Sequence, residues 1–246
     1  MSSESAADAK GEAADASSAR PLWRRIIGSG WFHLVAAFVV TGLLLAFVAK
    51  PYVVPSGSME QTLQVGDRVL VNRLAYTVTP PEAGDVVVFD ADAAWDSTPR
   101  AEEPPLKAFA RWLGEISGFG PSGRHTLVKR IIATPGQTVS CCSSDGAVVV
   151  DGQPLDESYV FEDLLFTPGT SDCTTEPRSS RCFDEVVVPD DRYLMLGDHR
   201  SRSADSAVLC RPTGAPESCW RWASRDEIVG EVAVILWPIP RWSVVH

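Results

Sequence analysis

The chain has 246 residues and a formal net charge of −10, with 45% hydrophobic and 22% charged residues. That is an ordinary globular composition, long enough for one sizeable core. The first 49 residues hold four basic and four acidic side chains, so the whole negative balance belongs to residues 50–246; nucleic-acid phosphates would repel such a domain, which argues against a nucleic-acid partner.

Residues 1–25 begin with a run of Ser, Ala, Asp, Glu and Gly that cannot bury enough surface to fold; a disordered tail is expected. Residues 26–50 follow, with an apolar run from about Trp31 to Ala49 broken only by His33. Its length predicts one transmembrane helix. Trp23 and Trp31 suit one interface and Tyr52 the other, and Arg20, Arg24 and Arg25 precede the span while only Lys50 directly follows it. The positive-inside rule puts the tail in the cytoplasm and residues 51–246 outside, making this a single-pass protein of the plasma membrane. A cleaved secretory signal is the competing reading. It needs small residues at −1 and −3 of the cut, but cuts after Ala49 or Ala46 place Phe47 or Leu44 at −3.

Past the span come short β-rich runs: Arg68–Asn72, Asp85–Phe89, Ala147–Val150, Glu185–Val188 and Tyr193–Leu196. Turn residues separate them at Val65-Gly66-Asp67, Ala83-Gly84-Asp85, Asp151-Gly152 and Pro189-Asp190-Asp191. The pattern predicts a mainly β domain without βαβ rhythm. The later apolar run Ile228–Ile239 is too short to span and reads as a buried final strand. Two stretches, near 90–125 and 162–184, read as insertions. In the first, Leu106, Phe109, Ala110, Leu113 and Ile116 have helical spacing, which predicts a short amphipathic helix. The second reads as a polar surface loop.

The six cysteines, Cys141, Cys142, Cys173, Cys182, Cys210 and Cys219, all follow the span. An even set on one side of a membrane points to an oxidising compartment and to disulfides. Cys173–Cys182 and Cys210–Cys219 would each close a short polar loop. Adjacent Cys141 and Cys142 are expected to have separate partners or remain free thiols. No C-x-x-C pair supports zinc, and no metal or cofactor is expected.

Four segments carry candidate chemistry: Pro55–Leu63 with its Ser56-Gly57-Ser58 turn, Gly66–Asn72, Val128–Gly136 with Lys129 among apolar neighbours, and the polar loop Gly197–Ser206. A serine hydroxyl needs a base to become a nucleophile. Lysine serves as that base when burial lowers its pKa and leaves it neutral. The developing oxyanion needs donors, which the Ser58 N–H and the Ser56 hydroxyl could supply. No Ser–His–Asp triad is obvious; only His125 and His199 could compete as base.

These segments, in this order after an N-terminal span, resemble the motif boxes of the bacterial type I signal peptidases. The resemblance implies a membrane-associated, coiled β-sheet catalytic domain and an endopeptidase that removes signal peptides from exported preproteins after small residues at −1 and −3. It implies Ser58 as nucleophile, Lys129 as general base, and Ser56 beside the Ser58 N–H in the oxyanion hole. Ser203 would hydrogen-bond and orient the Lys129 amine, while Asp198, Arg130, Arg200 and Asp205 would form a charged lattice around the site. Its implied surroundings are signal-peptide-bearing preproteins, membrane lipid and nearby protein-export machinery.

The chain departs from the family's usual residues at several positions: His199 for Asn, Ala207 for Arg, Gln61 for Pro, Ala133 for Gly and Gln137 for Asp. Arg200, Arg202 and Arg211 are the candidates to pair with Asp205 in place of the missing arginine. Two other readings compete. A cytoplasmic Ser–Lys self-cleaving repressor would need a DNA-binding module. A non-catalytic membrane-anchored β-domain that binds a partner would make Ser58 and Lys129 incidental.

Overall fold

The structure is a computed structural model that describes residues 27–91, 94–95, 104 and 126–245. The expected tail over 1–25 and the amphipathic helix over Leu106–Ile116 lie outside the described residues.

The apolar run forms one helix, α1 (Gly30–Phe47), with Trp31, Phe38 and Phe47 exposed along it. Its 18 residues rise about 27 Å, against a hydrocarbon core of about 30 Å. Among the described residues, no helix is long and apolar enough to cross a membrane. The helix stops short of the expected boundary at residue 50, because Ala49 already opens strand β1 (Ala49–Val53) and pairs with Asn72.

The residues from Gly42 on form a unit of their own, mainly antiparallel β-sheet. The strands of its larger sheet are β1, β2 (Arg68–Asn72), β3 (Val86–Asp90), β4 (Thr126–Ala133), β9 (Arg192–Leu196), β10 (Ala223–Ser224) and β11 (Ile228–Trp237), in the spatial order β1-β2-β11-β3-β4-β9-β10. A short β12 (Ser243–Val244) pairs with β11. A smaller sheet runs β7-β6-β5-β8, from β5 (Thr138–Cys141), β6 (Val148–Val150), β7 (Gln153–Pro154) and β8 (Phe183–Val187). The five predicted strands match β2, β3, β6, β8 and β9 to within two residues at either end. The run Ile228–Ile239 differs from expectation. It forms a strand, β11, between β2 and β3, but not the final one, since β12 follows, and it ends at Trp237, which is exposed.

Turn chemistry sets the strand ends. Gly66 and Gly84 take φ of 92° and 101°, a region closed to most side chains. Alternation along β2 sends Val69 and Val71 inward with Val54, Leu63, Val86 and Val232, as a half-buried strand requires. A second cluster gathers Val87, Phe89, Ile131 and Met195, and a third joins the sheets through Ile132, Val139, Val148, Phe183 and Leu196.

Three disulfides close the cysteine inventory: Cys173–Cys182, Cys210–Cys219 and Cys141–Cys142. The first two are the expected loops. The third corrects the expectation for Cys141 and Cys142: with the other four cysteines paired among themselves, each has only its neighbour to bond. Cys210–Cys219 should contribute about 3 kcal/mol by restricting the unfolded chain, a value typical of loops this short. The Cys210→Ser/Cys219→Ser protein should therefore unfold at lower urea, with a somewhat steeper slope per molar because the unbridged unfolded chain exposes more surface. An unshifted midpoint would contradict this.

Candidate active site

The turn that carries Ser58 lies between β1 and β2. Ser56 is extended, with φ −137° and ψ 159°, and Gly57–Met59 form one 3-10 turn. The turn closes through the Glu60 N–H donating to Gly57 O (3.1 Å) and the Leu63 N–H donating to Met59 O (2.7 Å). Met59 and Leu63 anchor it in the core, and Ser58 is buried. Gln61 has φ of 83°, which the proline usual in the resembled family could not adopt.

Strand β4 brings the lysine. Lys129 lies opposite Val87 of β3 and is 3% exposed. Its Nζ is 2.6 Å from Ser58 Oγ. Burial pushes the Lys129 pKa down to about 8, and the carboxylates of Asp205 and Asp198 partly oppose that shift by favouring the charged amine. A neutral amine is therefore accessible near physiological pH, within hydrogen-bond reach of the hydroxyl it would deprotonate.

The loop after β9 closes the site from the other side. At Gly197 a Cβ would lie 2.3 Å from Ser203 Oγ and 2.4 Å from Ser58 O, so only glycine fits where loop and turn meet. Asp198 is fully buried. It accepts from Arg130 Nε at 3.0 Å and Nη2 at 2.9 Å, and from the Thr62 hydroxyl at 2.6 Å. Arg130 also donates to Gly84 O and stacks over the Tyr159 ring. Arg200 donates to Gly197 O, and its Nη2 lies 2.6 Å from Glu157 Oε1. Asp205 pairs with Arg211 at 3.2 Å from both carboxylate oxygens. Of the three candidate arginines, Arg211 is the one that replaces the side chain missing at Ala207.

One expectation comes out differently. Ser203 is buried against the site, but its Oγ has no hydrogen-bond partner among the described residues. The expected bond to the Lys129 amine is not formed, because the amine is turned to Ser58. Ser56, the other expected oxyanion donor, is exposed and makes no cap hydrogen bond. Sequence reasoning missed Thr62, Glu60, Glu157 and Tyr159 as partners in the lattice. Thr62 sat inside a flagged segment, but its partner is 136 residues away, and nothing local marks such a bond.

Comparison with known proteins gives the family. The family model described as signal peptidase, peptidase S26, matches residues 28–237. The chain is 35% identical over 250 aligned positions to signal peptidase I of Mycobacterium tuberculosis, covering 98% of this chain and 83% of that protein. It is 34% identical to a probable signal peptidase I of Mycobacterium leprae, covering 87% and 78%. It is 32% identical to a probable signal peptidase I-1 of Synechocystis, covering 85% and 82%. A match over most of the chain, with a serine and a buried lysine in contact at its centre, assigns this protein to the S26 signal peptidase family.

Proposed function

We propose that this chain removes signal peptides from exported preproteins, with Ser58 as nucleophile and Lys129 as general base. The observation that carries the reading is the 2.6 Å approach of Ser58 Oγ to a buried Nζ of lowered pKa. Lys129 takes the Ser58 proton as Oγ attacks the scissile carbonyl. The tetrahedral oxyanion is met by the Ser58 N–H and the Ser56 hydroxyl. The protonated Lys129 then returns its proton to the leaving amine, and water hydrolyses the acyl-enzyme with the same base. Asp198, Arg130, Arg200 and Asp205 stiffen the loop and turn around this pair.

A membrane location suits the substrate. The apolar run through α1 is the proposed anchor, with residues 1–25 cytoplasmic and residues 51–246 extracytoplasmic. Three disulfides in the outer part support an oxidising compartment. Exposed Trp237, Ile239, Trp242 and Val244 at the C-terminal end of the β-unit support contact with membrane lipid. Protein-export machinery nearby would deliver the preproteins.

The test is cleavage of a preprotein by the full chain in detergent micelles. Cutting should follow small residues at −1 and −3, and a bulky residue at −1 should block it. The rate should rise with pH through about 8, because the neutral form of Lys129 grows as pH passes its lowered pKa. A flat profile between pH 6 and 9, with cleavage intact, would remove Lys129 as base.

A further inference from the structure

The loop carrying Asp198 and Ser203 is held from two sides, and His199 stands between them. Towards the nucleophile turn, the His199 N–H donates to Ser58 O at 3.1 Å, and ring Nδ1 lies 3.0 Å from Glu60 Oε2. Towards the second insertion, the Phe161 N–H donates to Asp198 O at 2.8 Å and the Ser201 N–H donates to Glu162 O at 3.2 Å. Ring Nε2 of His199 lies 3.1 Å from Glu162 Oε2 without hydrogen-bond alignment. The Phe161 ring packs edge-on against the imidazole at 5.2 Å.

The pieces differ in freedom. His199 is fully buried, whereas Glu60 is 37% exposed and Glu162 is 59% exposed. The imidazole is the buried member, and Glu60 is the partly exposed side chain it holds. Glu60 is folded back over the turn, since a Cβ on Gly57 would come within 3.0 Å of its Oε2. The carboxylate therefore lies against the backbone between the two serines. With an N–H on Nδ1, His199 donates to it in a charge-assisted hydrogen bond.

We propose that His199 is a positioning residue for Ser58, acting through Glu60 to fix the nucleophile turn against Lys129. The inference rests on the Ser58–Lys129 reading. Its weight comes from how sharply reactivity depends on such a contact: displacing a reacting group by about 1 Å costs on the order of 100-fold. Loosening one restraint on the turn should lower turnover more than substrate binding.

The experiment is steady-state cleavage by the full chain in detergent micelles, with Ser58→Ala as the control. Glu60→Ala should lower kcat about 10-fold and leave KM within about twofold, a loss smaller than a full 1 Å displacement would give. Glu60→Gln, whose amide oxygen still accepts from Nδ1–H, should stay within about threefold of wild type. His199→Ala should lose about as much as Glu60→Ala, and the double variant little more, because the two act as one unit. Thermal unfolding of the Glu60 variants should stay near wild type, since the side chain is partly exposed. Wild-type kcat in Glu60→Ala, or Glu60→Gln as impaired as Glu60→Ala, overturns the proposal while the dyad stands. An active Ser58→Ala protein removes the dyad, and this inference with it.

Discussion

Ser58→Ala and Lys129→Ala are each expected to abolish preprotein cleavage, with kcat falling on the order of 10⁴-fold or more while the fold persists. Oγ and Nζ are 2.6 Å apart. Removing either leaves the other without a function, so the double variant should be no worse than the singles. Lys129→Arg is the sharper version. It keeps length and charge, but a guanidinium stays protonated in proteins and cannot accept the serine proton. It should be as inactive as alanine. Ser56→Ala removes one of two oxyanion donors and should cost about 3 kcal/mol of transition-state stabilisation, a smaller loss. Near-normal cleavage by Lys129→Arg would sink the dyad and move the role of base to a histidine.

The local part of this fold was legible in the sequence, and the long-range part only through the resemblance. The strand at Arg68–Asn72 was read at its observed ends, because a glycine turn precedes the apolar run Val69-Leu70-Val71 and polar residues bound it on either side. The run Ile228–Ile239 was read as the final strand; its place between β2 and β3 was not legible, since strand order is set by pairings no local pattern records. Lys129 could be flagged by its apolar neighbours; that it is buried follows from β3, β9 and the nucleophile turn converging on it. The partner of Asp205 stayed open among three arginines because the sequence does not say which way the loop after Asp205 turns. Cys141 and Cys142 were misjudged for a related reason: the choice between separate partners and each other depends on where the remaining cysteines lie.

Breaking the buried Arg130–Asp198 pair is expected to have the largest effect on stability. The side chains are 3% and 0% exposed, and the carboxylate is held by both guanidinium nitrogens and the Thr62 hydroxyl. Asp198→Ala takes the buried carboxylate away from a buried guanidinium, at a cost of about 3–5 kcal/mol, a large share of a typical domain's stability of about 5–15 kcal/mol. Replacing both residues together, as Arg130→Met/Asp198→Leu, removes the uncompensated charge and should recover part of that loss. Urea unfolding of the two singles and the double would measure this coupling; purely additive losses would contradict it. The same carboxylate favours the charged form of Lys129, second to Asp205. Asp198→Asn should therefore lower the Lys129 pKa further, and the acid limb of whatever activity survives should move below pH 8. Asp205→Asn should move it further still, because it removes the stronger of the two carboxylates and leaves the Arg211 charge in place. A limb that moved to higher pH in either variant would mean that the titrating group is not a buried lysine opposed by these two acids.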